Sequence, residues 1–234
     1  MDVMIKSCSL DPIPTNLTKQ HIQDIVPLIT KIINKSLTSG TVPSQFKEAL
    51  VTLILKKKTL DQNTLKNYRP ISNLPFISKV LERTVLNQLQ NHISSNNLME
   101  MHQAAYRKNH STETAVLYTT NNLLLQNDNR NVSAVTLLDL SATFNTFDHK
   151  ILLERLNKTF GVQDTVLGWF ESYLSNTWQS VVADGAISNP SLLSFGVPQG
   201  SVLGPILFTF SIQPLSTVIQ KPTAYTRNIL MTLK

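Results

Sequence analysis

Two short stretches carry residue types suited to chemistry. The first, "AVTLLDLSATFNTFDH", is an apolar run bearing Asp139, with Phe144 five residues later in a small, polar turn. A carboxylate at the end of a buried strand is a hard oxygen ligand for a divalent cation, but one carboxylate begins a metal site without completing it. The second, "GVPQGSVLGPILF" from Gly196 to Phe208, sets glycines and prolines around Gln199 and runs into an apolar segment. Glycine lets backbone approach a ligand closely, and a glutamine can hydrogen-bond to that ligand. Each stretch also has a plainer reading. Asp139 could cap a turn at a strand end, and Gly196–Gly200 could be a loop entering a helix.

The surrounding pattern supplies elements to position them. Thr18 to Leu37 has helical apolar spacing with Pro27 inside, a kink or late start, and Gly40 as its stop. "ALVTLIL", Ala49 to Leu55, reads as a short buried strand feeding a lysine run, and "NYRPISNLP" as a turn. A helix from about Phe76 to Ile93 repeats apolar residues every fourth position, at Ile77, Leu81, Val85, Leu89 and Ile93. Ser111 or Thr112 caps a helix through about Leu125, and Val135 to Leu140 is a strand. Asp148 caps an amphipathic helix that Gly161 ends, and a further helix carries Leu167, Phe170, Tyr173 and Leu174. "WQSVVADGAIS" gives a strand and an Asp184-Gly185 turn. Helices and strands mix without a βαβ rhythm or internal repeats, which predicts an α+β fold.

Composition narrows the class. With 234 residues, 41% hydrophobic and 15% charged, the chain can bury a substantial core and is not disordered. Its longest nearly uncharged stretch is interrupted by Gly204 and Pro205 and is too short for a bilayer span. The start has no apolar leader, and Cys8 is the single cysteine, so an intracellular protein without internal disulfides is expected, nucleus or cytoplasm left open. Seven basic residues against two acids between Lys56 and Arg83 hold nearly all of the net +6. Such a concentration suits a polyanion such as nucleic acid or a triphosphate, and equally a solvated loop beside a helix.

In order along the chain, "LKNYRPISNLPFISKVLERTV", "QAAYRKNHSTETAV", "LLDLSATFNTFDH" and "GVPQGSVLGPILF" resemble the fingers and palm motifs of the LINE-type (non-LTR) retrotransposon reverse transcriptases. The likeness runs from about Lys6 to Gln220. It implies a right-hand polymerase fold with partial fingers and palm and no thumb. The expected divisions are an N-terminal helical approach segment over 1–50, fingers and palm over 51–220, and a divergent tail over 221–234. The implied activity is RNA-directed DNA synthesis, in which two Mg²⁺ ions activate the primer hydroxyl and stabilise the leaving pyrophosphate. The implied partners are an RNA template, a DNA primer and deoxynucleoside triphosphates, with no membrane.

By position in the motifs, Asp139 matches the first metal-binding, catalytic aspartate. Phe144 matches an aromatic gate that would exclude a ribose 2′-hydroxyl. Gln199 and Gly200 match the segment against the nascent base pair and template, with Pro198 beside them. Arg107 and Lys108 match the position facing the triphosphate, while Lys56, Lys57 and Arg69 are candidates for nucleic-acid phosphates.

The chain departs from the family pattern at three places. Asn145 stands where a second aspartate is usual. Asn109 replaces a glycine after "YRK", where asparagine can adopt a left-handed turn. The family's later aspartate pair has no counterpart, for no Asp or Glu follows Asp184. The codons suggest a cause: Met231-Thr232 read two nucleotides out of frame must give aspartate, and permissive codons for "NILMTLK" can give Tyr-Thr-Asp-Asp. A frameshift between about Gln220 and Asn228 is therefore expected, against coincidence among permissive codons. The expectation is a catalytically incomplete polymerase fragment; the alternatives are a non-catalytic RNA-binding module and a remnant that does not fold stably.

Overall fold

The computed structural model describes residues 8–100, 103–107, 109–135, 146–183 and 185–215. The expected strand through Leu140, with Asp139, Phe144 and Asn145, lies outside these residues, as do Lys108 and the tail from residue 216.

Thr15–Gln20 (α1) and Ile22–Ser39 (α2) replace the single expected helix. The break falls at His21, with φ −107° and ψ 28°, and Pro27 then sits within α2. Proline withholds an N–H and its ring crowds the carbonyl four residues back, so Pro27, the sixth residue of α2, cannot donate to the Gln23 carbonyl one turn earlier. Gly40 ends α2 with φ 63°, a left-handed cap where a Cβ would stand 2.9 Å from the Thr165 carbonyl oxygen.

Glu48–Leu55 (β1) is flanked on one side by Tyr68–Asn73 (β2), antiparallel, with Leu50 opposite Asn73 and Leu55 opposite Tyr68. The segment expected to be a turn is thus largely a strand. Its Pro70 is tolerated because β2 forms the end of the sheet, where a missing N–H breaks no ladder. On the other side β1 runs parallel to Trp178–Ala183 (β3), which pairs in turn with Ala186–Ile187 (β4) and Ser191–Leu192 (β5).

The helices form the main core. Phe76–Ser95 (α3), His149–Lys158 (α5), Asp164–Leu174 (α6) and Gly204–Ile212 (α7) bring together Leu81, Leu89, Leu152, Leu156, Phe170 and Phe210, all buried. Each such side chain contributes about 1.5–3 kcal/mol of apolar burial. The Phe160 and Phe210 rings meet at 4.0 Å between centroids, and His92 Nε2 donates to the Phe160 carbonyl at 2.7 Å. Trp169 Nε1 donates to Ser36 Oγ at 3.0 Å, fixing α2 on α6. Thr112–Asp128 (α4) buries only Ala115. Helices and strands are mixed along the chain without a βαβ repeat, and the fold is α+β as the sequence predicted.

Candidate functional site

The loop from Gly196 to Leu203 is fastened by three other segments. At its start, Gly196 has φ 64° and donates its N–H to the Phe147 carbonyl at 2.8 Å. Its own carbonyl lies 2.7 Å from His149 Nε2. A carbonyl can only accept, so that nitrogen carries the proton. Phe147 and His149 directly follow the Asp139–Phe144 stretch, so the two motifs meet at Gly196. His149 opens α5, whose start is fixed by Asp148: its Oδ1 accepts from the Lys150 and Ile151 amides at 2.7 and 3.1 Å.

The loop centre meets β2. Pro198 is buried, Gln199 half-buried and Gly200 exposed, and the Ser201 amide closes the turn on the Pro198 carbonyl at 3.0 Å. The Gln199 carbonyl accepts from the Ser72 amide at 2.7 Å. Gly200 has φ 134°, and a Cβ there would stand 2.5 Å from the Ser72 carbonyl oxygen. Both the backbone conformation and the close approach require glycine.

The loop's end meets α3. Glu82 Oε2 accepts the amides of Val202 at 2.6 Å and Leu203 at 3.0 Å, at the entrance to α7. Glu82 is only 2% exposed. Burial pushes its carboxyl up to about 7, opposed by the Leu203 and Val202 amides, by the Tyr173 hydroxyl and by Lys79. The Tyr173 hydroxyl, also buried, lies beside it without a partner at full hydrogen-bond geometry, and its acidity is suppressed by burial and by the Glu82 charge. A cavity of about 10 Å³, room for one water, separates Glu82 and Tyr173 from Gly196 and Pro198. Sequence reasoning passed over Glu82. The available signal was Leu86, which extends the apolar stripe of α3 onto the row containing Glu82.

The remaining candidates lie elsewhere. Arg107 is half-buried and donates from Nη1 to the Glu100 carbonyl at 3.3 Å. Asn109 does take the left-handed conformation, φ 63°. Lys56 and Lys57 are exposed at the tip of the β1–β2 hairpin, and Lys56 Nζ donates to the Lys66 carbonyl at 2.7 Å. The tip is shaped by Asp61, which accepts from the Asn63 amide and the Thr64 hydroxyl at 3.0 and 2.7 Å. Arg69 is exposed on the sheet face of Ile54 and Ile71, while Ser72 alternates to the opposite face with Val51. The structure therefore gathers Pro198, Gln199 and Gly200 against β2 and sets Lys56 and Lys57 apart at the hairpin tip. Among the described residues, no three His, Cys, Asp or Glu side chains gather to hold a metal ion, and no helix is long and apolar enough to cross a membrane.

The family described as reverse transcriptase (RNA-dependent DNA polymerase) matches residues 54–231. The chain belongs to that family, as a reverse transcriptase domain of the LINE-type retrotransposons. It is 31% identical over 178 residues to the probable RNA-directed DNA polymerase from transposon BS of Drosophila melanogaster, covering 76% of this chain and 19% of that protein. To the RNA-directed DNA polymerase from mobile element jockey of the same organism it is 29% identical over 186 residues, covering 80% of this chain and 20% of that protein. The chain thus spans about a fifth of the length of the curated relatives it matches. Among solved structures, an apo telomerase from Candida tropicalis superposes with a TM-score of 0.48 at 16% identity, over 82% of this chain and 44% of that one.

Proposed function

We propose that this chain is the fingers and palm portion, over residues 51–220, of an RNA-directed DNA polymerase, and that it binds template and primer without extending them. The observation that supports it most is the convergence of two other motifs on the loop of a third. Ser72 and Glu82, both from "LKNYRPISNLPFISKVLERTV", and Phe147 with His149, at the end of "LLDLSATFNTFDH", all bond Gly196–Leu203. That arrangement suits a loop held rigidly against a nascent base pair, with Gln199 and Gly200 facing it. In this reading Arg107 and Lys108 meet the triphosphate, Phe144 tests the sugar, and Lys56, Lys57 and Arg69 meet phosphates.

Two-metal phosphoryl transfer with Mg²⁺ needs several carboxylates. Asp139 would supply one, and no acid follows Asp184 within residues 185–234, so these residues alone do not complete the metal pair. The tail over 221–234 is read as a frame slip, which the nucleotide sequence of the locus tests: Tyr-Thr-Asp-Asp in the shifted frame is the expected finding. Binding without chemistry is supported by the exposed lysines of the ordered hairpin tip, whose affinity would come from phosphates and fall steeply with salt.

The deciding experiment is primer extension on an RNA template with Mg²⁺ and deoxynucleoside triphosphates, beside salt-titrated binding of an RNA–DNA hybrid. No extension with salt-dependent binding is expected. Extension that Asp139→Ala abolishes would overturn the inactivity, and absent or salt-insensitive binding would overturn the binding reading.

A further inference from the structure

Glu82 is the one fully buried carboxylate among the described residues, and no substrate or metal contact is assigned to it above. Its two bonds reach the loop from α3, while Ser72 reaches the same loop from β2. These holding elements are joined by only Leu74 and Pro75, both buried, so one continuous segment grips the loop at Gln199 and again at Val202–Leu203. Between the grips, Gly200 lies so close to Ser72 that a methyl group would not fit. The grips at Gln199 and Val202 are thus only three residues apart, on either side of that close approach.

We propose that Glu82 is a positioning residue: by accepting the Val202 and Leu203 amides it seats the Gln199–Gly200 turn on the Ser72 edge of β2. The consequence for substrate rests on the reading of Gln199 and Gly200 as facing the base pair; the seating itself does not. An uncharged hydroxyl or a water would suffice to satisfy two amides, and Ser201 Oγ already accepts the Gly204 amide at 3.1 Å. The carboxylate adds a grip that responds to its own protonation. The groups facing it are Tyr173 on α6, Lys79 one turn earlier on α3, and Lys47 across the small cavity, with the Val202 and Leu203 backbone amides from the loop that enters α7.

The test is amide hydrogen exchange on the full chain at Ser72, Val202 and Leu203, with α5 and α6 amides as internal controls. Glu82→Met, which keeps the volume and removes the acceptor, is expected to lower protection about tenfold or more at all three amides and to spare the controls. Glu82→Gln, which keeps one acceptor oxygen, is expected to retain it. In the native chain, protection corrected for intrinsic rates should fall by up to about tenfold per pH unit from about pH 5 to 7 and then level off, because the closed loop holds the Glu82 proton more tightly than an opened one. Glu82→Gln should be flat over the same range. If Glu82→Met leaves Ser72 protected while Val202 and Leu203 are lost, or if the native profile is flat, the proposal is overturned. Should Glu82→Met fail to fold, the pH profiles of the native chain and Glu82→Gln decide alone. Failure of the native chain to bind an RNA–DNA hybrid would count against the substrate reading and leave the exchange result to judge the seating.

Discussion

Helices α3 and α4 are similar in length, 20 and 17 residues, yet they are held in opposite ways. α3 buries seven residues, Glu82 among them, and has no side-chain cap of its own; Phe76 donates its amide instead to Asp11 Oδ1 at 2.7 Å, 65 residues away. α4 begins with a capping box, Ser111 Oγ accepting the Thr114 amide at 3.1 Å and Thr114 Oγ1 accepting the Ser111 amide at 3.0 Å. Beyond Ala115 it buries nothing, and Leu117 is 70% exposed. One helix is fixed by what it packs on and the other by its own first turn. A well-formed start therefore says that a segment is helical, not that it belongs to the core.

The largest expected effect that separates the two is core truncation. Leu81→Ala or Leu89→Ala in α3 should lower the unfolding free energy by about 2–5 kcal/mol, read from denaturant melts, because a cavity is added to lost apolar burial. A loss below about 1 kcal/mol would show that α3 is not packed as described.

Next is the pH dependence of Glu82. Its folded-state pKa, about 7, lies above the ordinary value of 4.5, so the folded chain holds the proton more tightly. The resulting stabilisation is fully present below about pH 4.5 and lost as pH rises to about 7, roughly 3 kcal/mol in all. Melts of the native chain across that window should slope downward relative to Glu82→Gln, and matching slopes would refute the assignment.

Smaller effects sharpen the contrast at the helix starts. Ser111→Ala should cost about 1 kcal/mol, felt as faster amide exchange over the first turn of α4 alone. Asp11→Ala should cost a similar amount but speed exchange along α3 and shift the whole melt, because that cap joins two distant segments. Smallest of all, Leu117→Ala should stay within about 0.5 kcal/mol of the native chain. A larger loss would place a buried contact on the exposed face of α4.

The same division separates what could be read from the sequence and what could not. The cap at Asp148, the left-handed stop at Gly161, φ 67°, and the turn at Gly185, φ 79°, depend on neighbours within a few residues, and all three were legible. β2 was not, because Pro70 between Tyr68 and Ser72 speaks for a turn unless the strand lies at the end of a sheet, which is a property of the assembled fold. The parallel pairing of Glu48 with Trp178 across 130 residues has no local signal either. In the site, "GVPQG" is marked by its glycines and prolines and by its likeness to the family motif, whereas Glu82 looks like one more charge on a helix flank.

The sequence by itself determined the family, the α+β class and the ordered set of motifs, because residue types at short spacing are enough to specify caps, turns and amphipathic periods. Only the tertiary structure decided that two of those motifs close on the loop of a third, that Gly200 has to be glycine on account of Ser72, and that a glutamate is buried where its carboxylate replaces water for two backbone amides. Those facts depend on distances between segments far apart in the chain. Chain folding creates such distances, and no local pattern encodes them.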